Sequence, residues 1–277
     1  FTSPPFCERP LRRVITTHFH PDHIGQAGLL VQHGVTYQTS ETCFRTAQRL
    51  WADQPTLPCE ARVAFQQRVG ISRLELEAFR RRRPSHFADT VAPPPSDCDL
   101  LANQQWLEIG NRRWQVRYGY GHAAEHITLW SEDNIAIVGD QILPTISPNL
   151  SDHFATPDDN PIAEWLESCD FFAQFARPST LCLPGHNRPF RGAPHRCRQL
   201  SENCQRVLDR LTAHLKKKPS TVKQCVNAIY RRSLAEYESR LLIAETIGYL
   251  NYLRADGVAE YVQMKSGQFL WRSVKNS

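Results

Sequence analysis

The sequence feature that most constrains the fold is a cluster of three histidines and one aspartate within six residues. His18, His20, Asp22 and His23 directly follow a short β-branched run and precede a segment with helical periodicity. In an extended chain alternate side chains share a face, so we expect His18 and His20 to point the same way. Pro21 fixes its own φ and disfavours helix at His20, which predicts a turn that brings Asp22 and His23 towards the same point.

Imidazoles and a carboxylate that converge on one point suit a divalent transition metal better than a packing role. The competing interpretation is a hydrogen-bonded histidine cluster at the end of a strand. We favour the metal site.

Composition excludes several classes of protein. The 277 residues are 41% hydrophobic and 22% charged, which is ordinary for a globular chain of one large domain, or of one domain with a smaller companion. No apolar run approaches the roughly 18 residues of a membrane span, and the first residues do not resemble a signal peptide. The sequence therefore predicts a cytoplasmic protein without a membrane partner. The net charge of +5 permits nucleic acid as a partner but does not require it.

The cysteines support the same compartment. There are nine, an odd number, and no C-x-x-C pair occurs. This pattern predicts reduced thiols, and it argues against a disulfide framework or a thiolate zinc site.

Periodicity and capping signals predict strands followed by helices, twice over, which indicates α/β sandwich layering. Ser40 is predicted to cap a helix, Ser72 and Glu75 to form a capping box, and Asn160-Pro161 to begin another helix. The predicted strands are 11–17, 35–39, 106–109, 114–118, 127–130, 135–138 and 181–183.

The character of the chain changes near residue 194. A long polar helix (195–217), a short helix capped by Ser220 and a helix over 234–255 that Gly257 ends precede two short strands. Helix, helix and hairpin is the element order of a winged helix. We therefore predict a catalytic domain at 1–193 and a helical, winged-helix-like domain at 194–277.

Three further positions repeat the theme of the histidine cluster. Gly121-His122, Gly139-Asp140 and Gly185-His186 each lie beside a predicted strand, where glycine lets the backbone bend so that a side chain reaches the sheet edge. Each dipeptide alone is a weak signal, but the three in this order after the cluster are a strong one.

Together these residues resemble the metallo-β-lactamase superfamily over about residues 11–192, and Phe19, Pro21, Ile24 and Gly25 also fit its flanking pattern. The resemblance implies a four-layer αβ/βα sandwich and a two-metal centre. It implies that one metal is held by His18, His20 and His122, the other by Asp22, His23 and His186, and that Asp140 bridges the two.

The resemblance also implies the chemistry. Two divalent ions about 3.5–4 Å apart can share a hydroxide that acts as the nucleophile, and they stabilise the charge that develops on the substrate. The donors fit zinc, with iron or manganese as alternatives. Asp22 is the predicted proton acceptor. Antibiotic-degrading members place a cysteine or no bridging ligand at the position of Asp140, whereas hydrolases of thioesters, lactones and phosphodiesters carry the aspartate.

Four more residues are candidates for the substrate pocket. Glu125 and His126 follow His122 closely and could line the pocket or support the ligands. For His126 the alternative is a helix cap or a buried, hydrogen-bonded histidine. Ser147 and Asn149 lie in the loop after Asp140.

The function we predict from the sequence is hydrolysis of a small ester, thioester or lactone. The alternative is a metal-dependent nuclease whose winged helix and basic segments (80–83 and 216–218) guide RNA or DNA. The C-terminal region resembles an appendage that occurs in a mitochondrial-type endoribonuclease group and in many uncharacterised bacterial hydrolases. A non-catalytic binding module is the third interpretation. Homo-oligomerisation is left open.

The N-terminus departs from the family pattern. Only 17 residues precede His18, whereas the resemblance implies several strands before this loop. We therefore expect N-terminal strands to be missing or incomplete in this sequence.

Overall fold

The computed structural model describes residues 10–151, 160–230 and 236–274. The chain divides into two compact units, and each consists of three stretches of sequence. The first unit contains 1–54, 85–145 and 179–191, and the second contains 55–84, 146–178 and 192–277. The predicted domain boundary at 193/194 stays a prediction, because the second unit also includes two earlier segments.

A small parallel sheet forms one layer of the first unit. It consists of β1 (Arg13–Ile15), β2 (Thr36–Thr39) and β3 (Asp99–Leu100) in that order. The α-helices of this unit are α1 (Pro21–Ile24), α2 (Ala27–Gln32) and α3 (Glu41–Ala52), and a 3-10 helix spans Phe87–Asp89. As predicted, Ser40 caps α3, because its hydroxyl accepts a hydrogen bond from the backbone N–H of Cys43.

The second layer is a five-stranded sheet in the order β4–β5–β6–β7–β8. Neighbouring strands are antiparallel except β7 and β8, which run parallel. The strands are β4 (Trp106–Ile109), β5 (Arg112–Gly119), β6 (His126–Ser131), β7 (Ile135–Gly139) and β8 (Leu181–Pro184). The five strands predicted between residues 106 and 183 are therefore confirmed.

Strand β1 connects the two hydrophobic cores of the first unit. Val14 packs against the core formed with the helices, which includes Ile24 and Phe44. Ile15 packs against the core of the larger sheet, which includes Val116 and Leu129. Successive strand residues point to opposite faces of a sheet. One face of β1 therefore packs against the helices, and the other packs against the five-stranded sheet.

The predicted turn at Pro21 takes a different form. Pro21 begins the one-turn helix α1 rather than a loop, and His20, which is extended, precedes it as the N-cap residue. Proline suits the first helical position because its missing N–H has no partner there and its φ is already helical.

The second unit is mainly helical. Its helices are α4 (Glu60–Val69), α5 (Arg73–Arg81), α6 (Pro161–Phe175), α7 (Ala193–Lys217), α8 (Val222–Tyr230) and α9 (Glu236–Ala255), followed by the antiparallel pair β9 (Ala259–Gln263) and β10 (Phe269–Ser273). The predicted order of helix, helix and hairpin is present, while its assignment as a winged helix stays a prediction. The beginning predicted for the last helix, near residue 234, lies outside the described residues.

Helix caps in the second unit confirm two predictions and correct a third. Ser72 and Glu75 form the capping box of α5, and Asn160 caps α6. Ser220 does not cap α8. Thr221 does so, since its hydroxyl accepts from the N–H of Gln224, while Ser220 pairs through its backbone with β10.

Two predictions made from composition can be compared with the described residues. The eight cysteines among them are free thiols, and Cys7 lies outside the described ranges. Within the same ranges the structure contains no helix that is both long enough and apolar enough to cross a membrane.

Candidate metal centre

Four loops of the first unit carry the seven predicted ligands to the carboxyl ends of β1, β5, β7 and β8. Backbone hydrogen bonds fix the loops to one another. Ile127 N–H donates to the carbonyl of Thr17 over 2.8 Å, and Gly185 N–H donates to the carbonyl of Gly139 over 2.9 Å. The donors are therefore positioned by strands that belong to both sheets.

The inner triad consists of His18, His20 and His122. The Nε2 atom of His18 lies 3.0 Å from Nδ1 of His20 and 3.2 Å from Nε2 of His122. His18 is fully buried and the side chain of His122 is 5% exposed. Three imidazole nitrogens therefore meet at one point, away from solvent.

The outer triad consists of Asp22, His23 and His186. The Oδ2 atom of Asp22 lies 3.1 Å from Nε2 of His186 and 3.5 Å from Nε2 of His23. The side chains of Asp22 and His186 are 56% and 45% exposed. This side of the centre is therefore open to solvent.

Asp140 lies between the two triads. Its Oδ2 atom is 3.7 Å from Nε2 of His122 in the inner triad. The same oxygen is 3.4 Å from Nε2 of His23 and 3.3 Å from Nε2 of His186 in the outer triad. One carboxylate oxygen thus contacts donors of both groups, which is the position of a bridging ligand.

Two glycines make this close approach sterically feasible. A Cβ atom at Gly185 would overlap Oδ1 of Asp140 and lie 2.7 Å from Cε1 of His23. A Cβ atom at Gly139 would lie 2.6 Å from Cε1 of His126, and its φ of +48° also favours glycine. The glycines in the Gly-Asp and Gly-His dipeptides therefore allow side chains to pack directly on the backbone.

Thr17, which was not among the predicted site residues, supports the inner triad. Its hydroxyl lies 3.0 Å from Nδ1 of His18. If the hydroxyl accepts the Nδ1 proton, the Nε2 lone pair of His18 is directed towards the centre. The signal in the sequence is a hydroxyl residue directly before a ligand histidine.

His126 takes the buried position that the sequence offered as one interpretation, and its predicted place in a substrate pocket stays a prediction. It is fully buried, and its ring stacks on His18 with 4.7 Å between ring centroids. Its Nε2 atom accepts a hydrogen bond from the backbone N–H of Asp140 over 3.1 Å. His126 therefore packs against one predicted ligand, His18, and fixes the backbone of another, Asp140.

Burial and neighbouring charges set the protonation of these groups. Burial, followed by the neighbouring imidazoles, holds the pKa of His18 well below its usual value. Burial and the proximity of His122 lower the pKa of His126 to about 3. Both rings are thus neutral near pH 7, as a ligand and a hydrogen-bond acceptor must be.

His23 and Asp140 stabilise each other's charge. Burial alone would lower the pKa of His23, but the contacts with Asp140 and the charge of Asp22 raise it. Burial would raise the pKa of Asp140, but His23, His122 and His186 hold it below its usual value. Asp140 is therefore ionised near neutral pH.

The donors fit divalent ions. The atoms offered by each triad lie within 4.8 Å of one another, as do those of His18, His23 and Asp140. The Oδ1 atom of Asp140 is buried and has no hydrogen-bond partner among the described residues, which is costly unless a cation satisfies it. Imidazole and carboxylate donors suit zinc, iron or manganese. The structure brings all seven predicted ligands together, and their role as ligands stays a prediction.

Glu125 contacts a helix instead of facing the donors. Its Oε2 atom accepts a hydrogen bond from the backbone N–H of Thr42 over 2.9 Å, in the first turn of α3. Carboxylates stabilise helix N-termini because they satisfy unpaired N–H groups and complement the helix dipole. The structure therefore gives Glu125 a structural contact, and its predicted role in a pocket stays a prediction.

Ser147 and Asn149 belong to the second unit, in the segment that begins at residue 146. Ser147 is exposed and Asn149 is half-buried, and Asn149 accepts a hydrogen bond from the hydroxyl of Ser151. Their predicted contact with substrate stays a prediction.

Comparisons with known proteins point to one superfamily. A family model described as the metallo-beta-lactamase superfamily matches residues 8–41, which include four of the seven donors. The comparison with curated proteins found no match.

Solved structures match almost the whole chain. A beta-lactamase domain protein from Burkholderia ambifaria has a TM-score of 0.85 and 29% identity, over 97% of this chain and 77% of that one. A metallo-beta-lactamase family protein from Thermus thermophilus has a TM-score of 0.75 and 25% identity, over 95% of this chain and 80% of that one. The α/β fold class expected from the resemblance is confirmed. The matching family model and the structural neighbours are those of the metallo-β-lactamase superfamily, and the converging histidine and aspartate donors of this chain fit it.

Proposed function

We propose that the chain is a hydrolase that holds two divalent ions and cleaves a small ester, thioester or lactone. The observation that carries the proposal is the position of Asp140, whose Oδ2 atom lies within 3.7 Å of imidazole nitrogens from both triads. A carboxylate shared by two groups of donors suits a two-ion centre better than two independent sites.

Each part of the centre has a distinct task. His18, His20 and His122 would hold the first ion and the outer triad would hold the second, and Asp140 would contribute to both groups of donors. When bound, such a pair of ions supplies a water of lowered pKa and stabilises the negative charge that develops on the substrate. Thr17 and His126 keep the inner donors neutral and oriented, so that little reorganisation is needed when substrate binds.

Asp22 is the proposed proton acceptor. The centre contains two carboxylates, and they differ in access: the side chain of Asp140 is 8% exposed, whereas that of Asp22 is 56% exposed. Asp22 Oδ2 also lies 3.1 Å from His186, which orients it. Of these two carboxylates, Asp22 is therefore the one that is placed to take a proton from an attacking water and pass it to solvent.

Asp140 also bears on the substrate. The resemblance associates an aspartate at this position with hydrolases of thioesters, lactones and phosphodiesters, and a cysteine or no bridging ligand with hydrolases of antibiotics. Together with the mild net charge of +5, this supports a small acyl compound as the substrate. The imidazole and carboxylate donors support zinc as the metal.

A metal-dependent nuclease is the second candidate, and the basic residues at the end of α5 favour it. Arg81, Arg82 and Arg83 are exposed there. Arg80 contributes less, because it forms an ion pair with Glu60 over 3.2 Å. Exposed arginines attract phosphates but do not by themselves specify a nucleic acid.

The test is a comparison of substrates on the zinc-loaded full chain. We expect turnover of thioesters or lactones and no cleavage of single-stranded RNA or DNA. Asp140→Ala should abolish turnover, while Asp133→Ala, which removes an exposed carboxylate paired with Arg112, should leave it unchanged. Cleavage of oligonucleotides in place of acyl substrates would favour the nuclease, and unchanged turnover in Asp140→Ala would refute both functions.

A further inference from the structure

A cationic pocket lies between α7 and α8 in the second unit. It has a volume of about 290 Å³, and its polar lining consists of Arg210, His214, Lys217 and Asn227, with two alanines completing the wall. Three of the polar groups are basic side chains of α7, and Asn227 adds an amide from α8. The lining contains no carboxylate.

The basic residues form one stripe on α7. Arg210, His214 and Lys217 are spaced i, i+4 and i+7, which places them on the same helix face. Positive charges on one helix face repel one another, which is a cost to the helix. The negative end of the helix dipole offsets this cost for Lys217 in the last turn, but not for Arg210 two turns earlier.

Neighbouring positions on α7 do not share this arrangement. Arg206 pairs with Glu202, and Asp209 accepts a hydrogen bond from Gln205 over 2.9 Å. By contrast, no described carboxylate forms an ion pair with Arg210 or Lys217. The charge of the stripe is therefore not neutralised within the described part of the protein.

His214 also lies in the electropositive environment of the α7 stripe. Its Nε2 atom contacts the buried hydroxyl of Ser220 over 2.9 Å, which fixes the ring. Burial, followed by the positive charges of Lys218 and Lys217, lowers the pKa of His214 below its usual value. A bound anion would relieve this repulsion.

We propose that this pocket binds a phosphate group. The guanidinium of Arg210 can donate two hydrogen bonds to one phosphate, Lys217 supplies a second positive charge, and the amide of Asn227 supplies a neutral donor from the opposite wall. A carboxylate ligand would use fewer of these donors than a phosphate. The phosphate could belong to a small phosphomonoester or to the backbone of a nucleic acid, since both present the same oxygens.

The adjacent pocket on α7 provides a matched control. Lys216 lines that pocket together with Asp209 and Asp256, so its charge faces carboxylates. Lys216 and Lys217 are both exposed residues of the last turn. Substitution of either with alanine removes the same charge, but only Lys217 lines the proposed phosphate site.

The experiment is a calorimetric titration of inorganic phosphate into the full chain in phosphate-free buffer. Loss of one charge-assisted contact should weaken binding about tenfold in Arg210→Ala and in Lys217→Ala, and less than about twofold in Lys216→Ala. Equal weakening in Lys216→Ala and Lys217→Ala would overturn the proposal, as would the absence of phosphate binding. Binding that is lost in Asp140→Ala but unaffected by Lys217→Ala would assign phosphate to the metal centre and also overturn it.

Competition distinguishes the two sources of phosphate. A nucleoside monophosphate and a single-stranded oligonucleotide without terminal phosphates are each added to the phosphate-bound chain. Displacement by the monophosphate alone indicates a small phosphorylated ligand. Displacement by the oligonucleotide, with the same loss in Lys217→Ala, indicates a nucleic acid backbone. The pocket is separate from the donors on which the proposed hydrolase depends, so either proposal can fail without the other.

Discussion

The inner and outer triads of the candidate metal centre offer similar donors but differ in exposure and in support. His18 of the inner triad is buried, stacked on His126 and in contact with Thr17. Asp22 and His186 of the outer triad are 56% and 45% exposed. The fold therefore fixes the inner donors before a metal binds, and it leaves the outer donors accessible to solvent. We expect a chelator to remove the outer ion first, because it can reach that ion directly.

The largest effect is expected from a substitution that disturbs both triads at once. In Gly185→Ala the new Cβ would overlap Asp140 Oδ1 and lie 2.7 Å from His23 Cε1, so the bridging carboxylate must move. Activity should fall by more than about 100-fold, since this displaces ligands directly, and even outer partners of ligands contribute about 10–100-fold. Metal content is measured by elemental analysis. At Gly34 a Cβ meets no atom but φ is +80°, so Gly34→Ala is the control for a glycine substitution that strains the backbone without a steric overlap. Two retained ions in Gly185→Ala would contradict the tight packing of Asp140.

Single substitutions should separate the two triads. His18→Ala should lose the inner ion, and it should lower the free energy of unfolding of the metal-depleted chain by about 2 kcal/mol because it leaves a buried void. His186→Ala should lose the outer ion and change stability by no more than about 0.5 kcal/mol, because its side chain is 45% exposed. Metal analysis and denaturant titration test both. Equal stability losses in the two variants would remove the difference in burial that we infer.

Removal of the support under the inner triad should have an intermediate effect. In His126→Phe the backbone N–H of Asp140 loses its acceptor, and metal affinity should fall about 10–100-fold. His126→Gln can place an acceptor at a similar position and should restore part of the affinity. A competition titration with a chromogenic chelator measures these values. No difference between the two variants would show that the hydrogen bond is not what matters.

The smallest expected effect concerns the hydroxyl beside His18. Thr17→Val keeps the shape but removes the 3.0 Å contact with Nδ1 of His18, so the affinity of the inner ion should fall about tenfold or less. Thr17→Ser keeps the hydroxyl and should resemble the original protein. The same chelator titration measures both variants. A larger loss for the outer ion than for the inner ion would contradict the assignment of Thr17 to the inner triad.

Local signals predicted much of the fold. The β-branched run before His18 predicted the strand β1, and both capping residues of the box at Ser72 and Glu75 act as expected. The donors were also found, because four of them lie within six residues and the others follow glycines at strand ends. These features depend on spacing along a few residues, which a sequence contains directly.

Features that depend on distant contacts were predicted wrongly, as for Ser220, or left open between two interpretations, as for His126. Ser220 has the chemistry of a helix cap, but pairing with Trp271 on β10 engages its backbone and leaves the cap to Thr221. The burial of His126 depends on Gly139 and Asp140, which approach it only in the folded sheet. At both positions contacts with residues distant in the sequence determined the outcome.

The most direct test of the central claim is a crystal structure of the zinc-loaded chain with anomalous diffraction at the zinc edge. We expect two anomalous peaks about 3.5–4 Å apart. One should contact His18, His20 and His122, the other should contact the outer triad, and Asp140 should contact both. A single peak, or two peaks that do not share Asp140, would contradict the account.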